Sequence, residues 1–312
     1  MPPPPPPPPT NQAAAVAAGA APPPSAASSS STIRAVPWMA GWLGLMVVMA
    51  ISGRQATREL DVFQVMEVRS LIGLLMLAPL VHAAGGLRAM RTARPGLHLV
   101  RNTVHYGAQY AWLYALTLIP LAQLVALEFT MPIWTLLLAA AFLGESLNRW
   151  KAAAVALGVI GVVLIVRPAQ AGVSPGQAIA LAAAVGFAVS LIFVKLLTRT
   201  EDATRIMFWM LVVQSVLGAW PALATWRWPS PAVWGWLVVI AFCGTFSHYC
   251  MVRAMRHAQA TVIVPMDFLR VPLTALAGWA IYAEQIDLLM VAGTGLILAG
   301  NLLNLRRVPA RR

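Results

Sequence analysis

Charge is what this chain has least of. Only 10% of its 312 residues are Asp, Glu, Lys or Arg, and only ten are acidic, whereas an ordinary soluble domain carries about 25% charged residues. Cysteine is almost missing, with Cys243 and Cys250 the only two. They stand in one apolar segment, about 10 Å apart along a helix. That is too far for a disulfide between them, and two thiols make no metal cluster. There is no HExxH, no GxSxG and no phosphate loop, so no enzyme constellation, ATP site, metal or cofactor is expected. A net charge of +12 could suggest nucleic acid, but the chain has no zinc finger, RNA-binding signature or basic aromatic helix, and no nucleic-acid partner is expected.

Apolar residues fill the space that charge leaves. They make up 59% of the chain, with a mean hydropathy of +0.73. Ten apolar segments reach transmembrane length, taking about 20 residues per span. They run approximately over 37–53, 62–83, 98–118, 121–143, 150–167, 176–197, 205–226, 231–254, 258–282 and 286–305. The spacing therefore predicts an all-α membrane protein of ten transmembrane helices. Ahead of them, residues 1–36 are a Pro/Ala/Ser-rich stretch with the run Pro2–Pro9. Such a composition cannot bury enough surface to offset its conformational entropy and reads as a disordered cytoplasmic tail. It lacks the basic start and apolar core of a signal peptide.

Basic residues decide the orientation. With the N-terminus inside, 15 of the 22 Lys and Arg residues fall in cytoplasmic segments and only Arg54, Arg58, Arg167 and Arg227 outside. This bias places both termini in the cytoplasm, residues 306–312 forming a basic C-terminal end.

The chain also repeats itself. At an offset of 139 positions, Tyr110 meets Tyr249, Glu128 meets Asp267, Phe129 meets Phe268, Glu145 meets Glu284, Gly161 meets Gly300 and Arg167 meets Arg306. Apolar coincidences are cheap in such a composition, but a match between acids drawn from only ten is not. The chain reads as two units, 37–168 and 175–305. Five spans per unit is an odd number, so the second enters the membrane inverted. Duplicated halves with the substrate site between them are an architecture of secondary transporters.

From Trp112 to Arg167 the chain resembles the EamA family of the drug/metabolite transporter superfamily. The likeness rests on an aromatic-Ala-Leu end to the third span (114–116), a small-residue turn at Leu121 and Ala122, and Pro132 inside the fourth span. It continues with Gly144 and Glu145 at that span's end, then Gly158, Gly161 and a closing Arg167–Pro168 pair. The second half fits through Glu284 and Gly300, although the ninth-span proline is shifted to Pro272 and joined by Pro265. Arg69 also resembles an arginine common early in the family's second helix. The resemblance extends over about 37–305. It implies two inverted five-helix repeats and a bacterial inner-membrane carrier, whose relatives move amino acids, riboflavin, S-adenosylmethionine and other metabolites.

Candidate site residues follow from the cost of burying polarity in lipid. Glu128 lies about 11 Å from the nearer end of the fourth span, where an ionised group costs about 2.5–3.5 kcal/mol on insertion scales. It must face a wet cavity, pair with a cation or hold a proton. Pro132 leaves the Glu128 carbonyl without its helical donor and favours a bend. Asp267 precedes Arg270 by three residues on one helix face, so the two either neutralise each other or hold a charged substrate. In the third span Arg101, His105, Gln109 and Trp112 fall in one arc, with Tyr106, Tyr110 and Tyr114 as a second stripe. That polar and aromatic surface suits a ring or quaternary ammonium, and His105 is also a proton-relay candidate; packing, a snorkelling Arg101 and a structural, hydrogen-bonded His105 are the plainer alternatives. His248 and Tyr249 are the second-half analogues. Glu145 and Glu284 read as caps or ion-pair partners at helix ends, and the Gly and Ala runs as close helix contacts.

The expected function is secondary transport of a small polar or zwitterionic, amino-acid-like metabolite by alternating access, in the export direction. Uptake of a vitamin or nucleoside-type metabolite is the alternative, and an intramembrane enzyme on a lipid-linked substrate the alternative of another class. Protons are the candidate coupling ion, the bilayer the solvent, and a monomer or weak homodimer the expected assembly.

Overall fold

In hydrocarbon each backbone N–H and C=O must find its partner inside its own segment, so apolar runs of this length become helices. The computed structural model describes residues 29–143, 149–167, 172–257, 263, 266–285 and 287–304, and among them helices with short connections and no strand. The long helices are α1 (Ser29–Ala56), α2 (Val62–Ala83), α3 (Pro95–Leu118), α4 (Leu121–Glu128), α5 (Met131–Leu143), α6 (Arg149–Val166), α7 (Pro175–Leu197), α8 (Ala203–Ala224), α9 (Pro231–His257), α10 (Arg270–Tyr282) and α11 (Leu288–Asn304). Residues 1–28 of the expected tail and 305–312 lie outside the described residues, as do Gly144, Glu145, Pro168 and Pro265. Helix α1 begins at Ser29, inside the stretch that composition reads as tail.

Polar residues set the boundaries. Asp61 caps α2 by accepting from the Phe63 amide at 2.8 Å. Ser174 and Gln177 form a reciprocal capping box at the start of α7, with Pro175 at its first turn, as the start chemistry of a helix favours. Asp202 caps α8.

Seven described helical stretches are long and apolar enough to cross a membrane, rather than the ten expected. They are α1, α2, the run 121–138 through α4 and α5, α6, α7, α8 and α9. The other three fall short for different reasons. Helix α3 has 24 residues but carries His98, Arg101, Asn102, His105 and Gln109. Helix α10 has 13 residues because a turn at 268–269 interrupts the segment, and α11 has 17.

The packing exchanges counterparts. Displaced by 139 positions, α1 falls on α7, α2 on α8, α3 on α9 and α6 on α11. Helix α1 packs on α9, and its counterpart α7 packs on α3; α2 packs on α8, α6 on α11 and α4 on α10. The α6–α11 contact is made backbone to backbone. A Cβ on Gly161 would sit 2.5 Å from the Gly293 carbonyl oxygen, and one on Gly300 would sit 2.7 Å from that of Ala154. Those two contacts are each other's image under the offset, since Gly161 maps to Gly300 and Ala154 to Gly293. The expected close approach through small residues is thus realised at these positions.

Candidate functional site

The candidate site is built at two breaks in the helical path. Helix α4 ends at Glu128, and α5 starts at Met131 after a turn at 129–130; the matching turn at 268–269 precedes α10. The two breaks are counterparts, and their phenylalanines meet. Phe129 and Phe268 pack edge to face with ring centroids 5.5 Å apart. Pro132 and Pro272 stand in the first turn of the helix after each break, where a missing amide is tolerated. The backbone freed at the first break is satisfied from α11, for Asn301 donates Nδ2–H to the Phe129 carbonyl at 2.9 Å.

Three charges converge there. Arg270 donates from Nη2 to Glu128 Oε1 at 2.8 Å, and its Nε stands 3.8 Å from Asp267 Oδ1. Its guanidinium also lies over the Phe129 ring, 4.8 Å from the centroid. Each acid receives an indole. Trp112 Nε1 donates to Glu128 Oε2 at 2.8 Å, and Trp42 Nε1 to Asp267 Oδ1 at 2.6 Å. The side chains are 7% (Arg270), 17% (Glu128) and 19% (Asp267) exposed. Of the two acids, the one across the helix interface is therefore closer to Arg270 than its own i−3 neighbour. Two carboxylates against one guanidinium leave a surplus of negative charge beside aromatic walls.

A second polar cluster lies one turn along α3. Arg69 donates from Nη2 to Gln109 Oε1 at 3.0 Å and to Gln214 Oε1 at 2.9 Å, and Gln214 donates back to Gln109 Oε1 at 2.7 Å. Gln109 and Trp112 are three apart and share a face of α3, so this cluster adjoins the first. The remaining members of the expected α3 arc go elsewhere. His105 Nδ1 lies 3.2 Å from Ser190 Oγ of α7, and Arg101 is buried with Nη1 on Asn102 Oδ1 at 2.6 Å, rather than reaching for the surface. Tyr110 stacks on Phe63 and Tyr114. Tyr249 stacks on Phe246 and is half exposed at the protein's outer surface. The side chain of His248 lies outside the described residues.

Glu284 accepts from the Leu121 amide at 2.9 Å and from Arg54, tying the start of α4 and the end of α1 to the end of α10. Cavities of about 810 and 490 Å³ open beside it, walled by Trp279, Tyr282, Arg54 and Arg58; they lie away from the Arg270 cluster. The two cysteines are free and buried. Sequence reasoning passed over Trp42, Gln214 and Asn301, neutral residues that carry no burial cost large enough to flag them. It also passed over Glu67, an acid inside α2 that the same insertion cost should have flagged.

The model of the EamA-like transporter family matches the chain twice, over residues 35–167 and 174–306. The chain belongs to the EamA-like transporter family. A riboflavin transporter of Brucella anthropi is 30% identical over 76% of this chain and 85% of its own length. An S-adenosylmethionine uptake transporter of Rickettsia felis is 26% identical over 84% and 90%, and a pseudopaline exporter of Pseudomonas aeruginosa 29% identical over 80% and 88%. A solved crystal structure 20% identical to this EamA-like chain superposes with a TM-score of 0.60 over 89% of this chain and 96% of that one, which shows the fold. This EamA-like protein is accordingly a multi-pass membrane transporter and not an enzyme.

Proposed function

We propose that this chain is a secondary carrier of a small zwitterionic metabolite with a cationic group, working by alternating access around Arg270. The observation that carries the reading is the position of Arg270, bonded to the acid of one half and beside the acid of the other, at helix breaks that the duplication repeats. In that site Arg270 holds the substrate's anionic group, while the surplus carboxylate charge of Glu128 and Asp267 favours its ammonium or sulfonium. Trp112, Trp42 and Phe129 wall the site and suit a ring or a soft cation. Broken helices that place charged side chains at the middle of the membrane are an arrangement suited to substrate binding.

The same reading takes 37–168 and 175–305 as the two repeats and counts α3, α4 with α5, α10 with its preceding turn, and α11 among ten inverted spans. The exchange of counterpart packing, α1 on α9 against α7 on α3, supports it. Both termini then lie in the cytoplasm and the carrier in a bacterial inner membrane. Its named relatives include an uptake carrier and an exporter, and a midplane site serves either direction. Export remains the reading for this chain, with the driving gradient setting the sign. Purified protein in liposomes, preloaded with unlabelled compound, is offered labelled S-adenosylmethionine, riboflavin or an amino-acid mixture. Counterflow of a zwitterionic member that Arg270→Gln abolishes supports the reading; equal flux in the variant refutes the site.

A further inference from the structure

Glu67 lies in α2, is 7% exposed, and its Oε2 is buried without a hydrogen-bond partner among the described residues. The neighbouring Arg69 does not neutralise it. Residues two apart point to different sides of a helix, and the Arg69 Nη2 is already given to Gln109 and Gln214. The niche around the carboxyl is shaped by a glycine of the facing helix. A Cβ at Gly218 of α8 would sit 2.6 Å from Glu67 Oε2 and 2.9 Å from Tyr106 Oη. The Tyr106 hydroxyl and Arg69 Nε are likewise buried without partners. Three unsatisfied polar atoms from α2 and α3 in one polar cluster are unusual, because such groups are ordinarily bonded.

Glu128 is the obvious acid to carry a coupling proton, but both of its oxygens are engaged, one by Arg270 and one by Trp112. Glu67 has no such engagement. We propose that Glu67 is the proton-carrying group of the transport cycle. Its carboxylate oxygen forms an O–H bond with a proton taken from water on one side of the membrane and releases that proton to water on the other. No oxidation state changes, and no other reactant is needed. Among the described residues, Tyr106 is the titratable side chain that faces it from α3, with Arg69 on its own helix; α8 contributes Gly218 and the neutral Gln214, and α9, which also packs on α2, carries Cys243 as its titratable group over residues 231–247. The Arg69–Gln109–Gln214 network, three residues along α3 from Trp112, links this niche to the Arg270 site, so protonation at Glu67 is placed to be felt where substrate binds.

The inference deepens the carrier reading and is tested apart from it. Infrared difference spectra of the purified full-length protein, between mildly acidic and mildly alkaline buffer, report the carbonyl stretch of any carboxylic acid that gains or loses a proton. A component of that band should vanish in Glu67→Gln, shift in Glu67→Asp and in Gly218→Ala, and persist in Glu128→Gln. A band unchanged in Glu67→Gln overturns the proposal, whatever the flux. In liposomes with labelled S-adenosylmethionine as the probe, Glu67→Gln should lose the dependence of accumulation on an imposed pH gradient while retaining one-for-one exchange. Wild-type counterflow with an unchanged gradient dependence in Glu67→Gln also overturns the proposal and leaves the carrier standing. No wild-type counterflow with any tested probe counts against the carrier, and the infrared band then decides Glu67 alone.

Discussion

Replacing Arg270 by Gln removes the cation that contacts both Glu128 and Asp267. The gross attraction is about 6 kcal/mol for the 2.8 Å contact and about 4 kcal/mol for the 3.8 Å one, taking an effective dielectric of about 20. Desolvation of the three groups offsets much of it, and truncating one partner of a buried pair has a net cost of about 3–5 kcal/mol. The two acids keep some exposure, 17% and 19%, so the low end, about 3 kcal/mol, is expected. At roughly 2–3 °C per kcal/mol for a chain of this size, Arg270→Gln should lower the melting temperature in detergent by about 6–9 °C. Adding Glu128→Gln should restore about half of that, because a neutral amide pair can bond across the same gap while Asp267 keeps its Trp42 donor. The assay is loss of monodisperse protein on heating, read by size-exclusion chromatography. A melting temperature unchanged in Arg270→Gln, or a double variant worse by the sum of the singles, would refute the argument.

Other outcomes follow from the same geometry. Glu128→Gln should destabilise more than Asp267→Asn, since Arg270 holds Glu128 at 2.8 Å and Asp267 at 3.8 Å; paired melts decide it. Gly161→Ala should cost about 1–3 kcal/mol by overpacking against the Gly293 carbonyl, whereas Gly295→Ala, with nothing within 4 Å of its Cβ, should melt like the parent. Gln214→Leu strips Arg69 of one acceptor and should cost about 2 kcal/mol, measured the same way. Reporter fusions should place 84–97 and 198–204 in the cytoplasm and 168–175 in the periplasm; the reverse would invert the proposed topology.

The repeat was legible because acids are scarce, so the Glu128–Asp267 match stood out against an apolar background. It pointed to two residues that the fold brings to one arginine. The pairing itself was not legible: Asp267 is the sequence neighbour of Arg270, and only the approach of α4 to α10 makes Glu128 the closer partner. The helix breaks were half visible, through Pro132 and Pro272, but neither proline says that Asn301 would answer the Phe129 carbonyl. The arc on α3 was read as one face, yet His105, Gln109 and Trp112 meet three different neighbours because helices pack on α3 from several sides. Glu67 was missed for a simple reason. Its counterpart under the offset is Ile206, so the symmetry that revealed Glu128 is silent there, and Arg69 two positions away suggests a pairing that helix geometry forbids. Span counting reached ten from apolar runs, while seven described stretches are long and apolar enough to cross a membrane, since polar residues dilute α3, the turn before α10 shortens its run and α11 stops at 17 residues.

The central claim is that substrate binds between the halves at Arg270, and one measurement meets it most directly. Counterflow of labelled S-adenosylmethionine into preloaded liposomes is compared between the parent protein and the partly restabilised pair Arg270→Gln with Glu128→Gln. The account predicts transient accumulation by the parent and none by the pair, at equal amounts of folded protein. Equal counterflow by both proteins would contradict it and move the site away from the helix breaks.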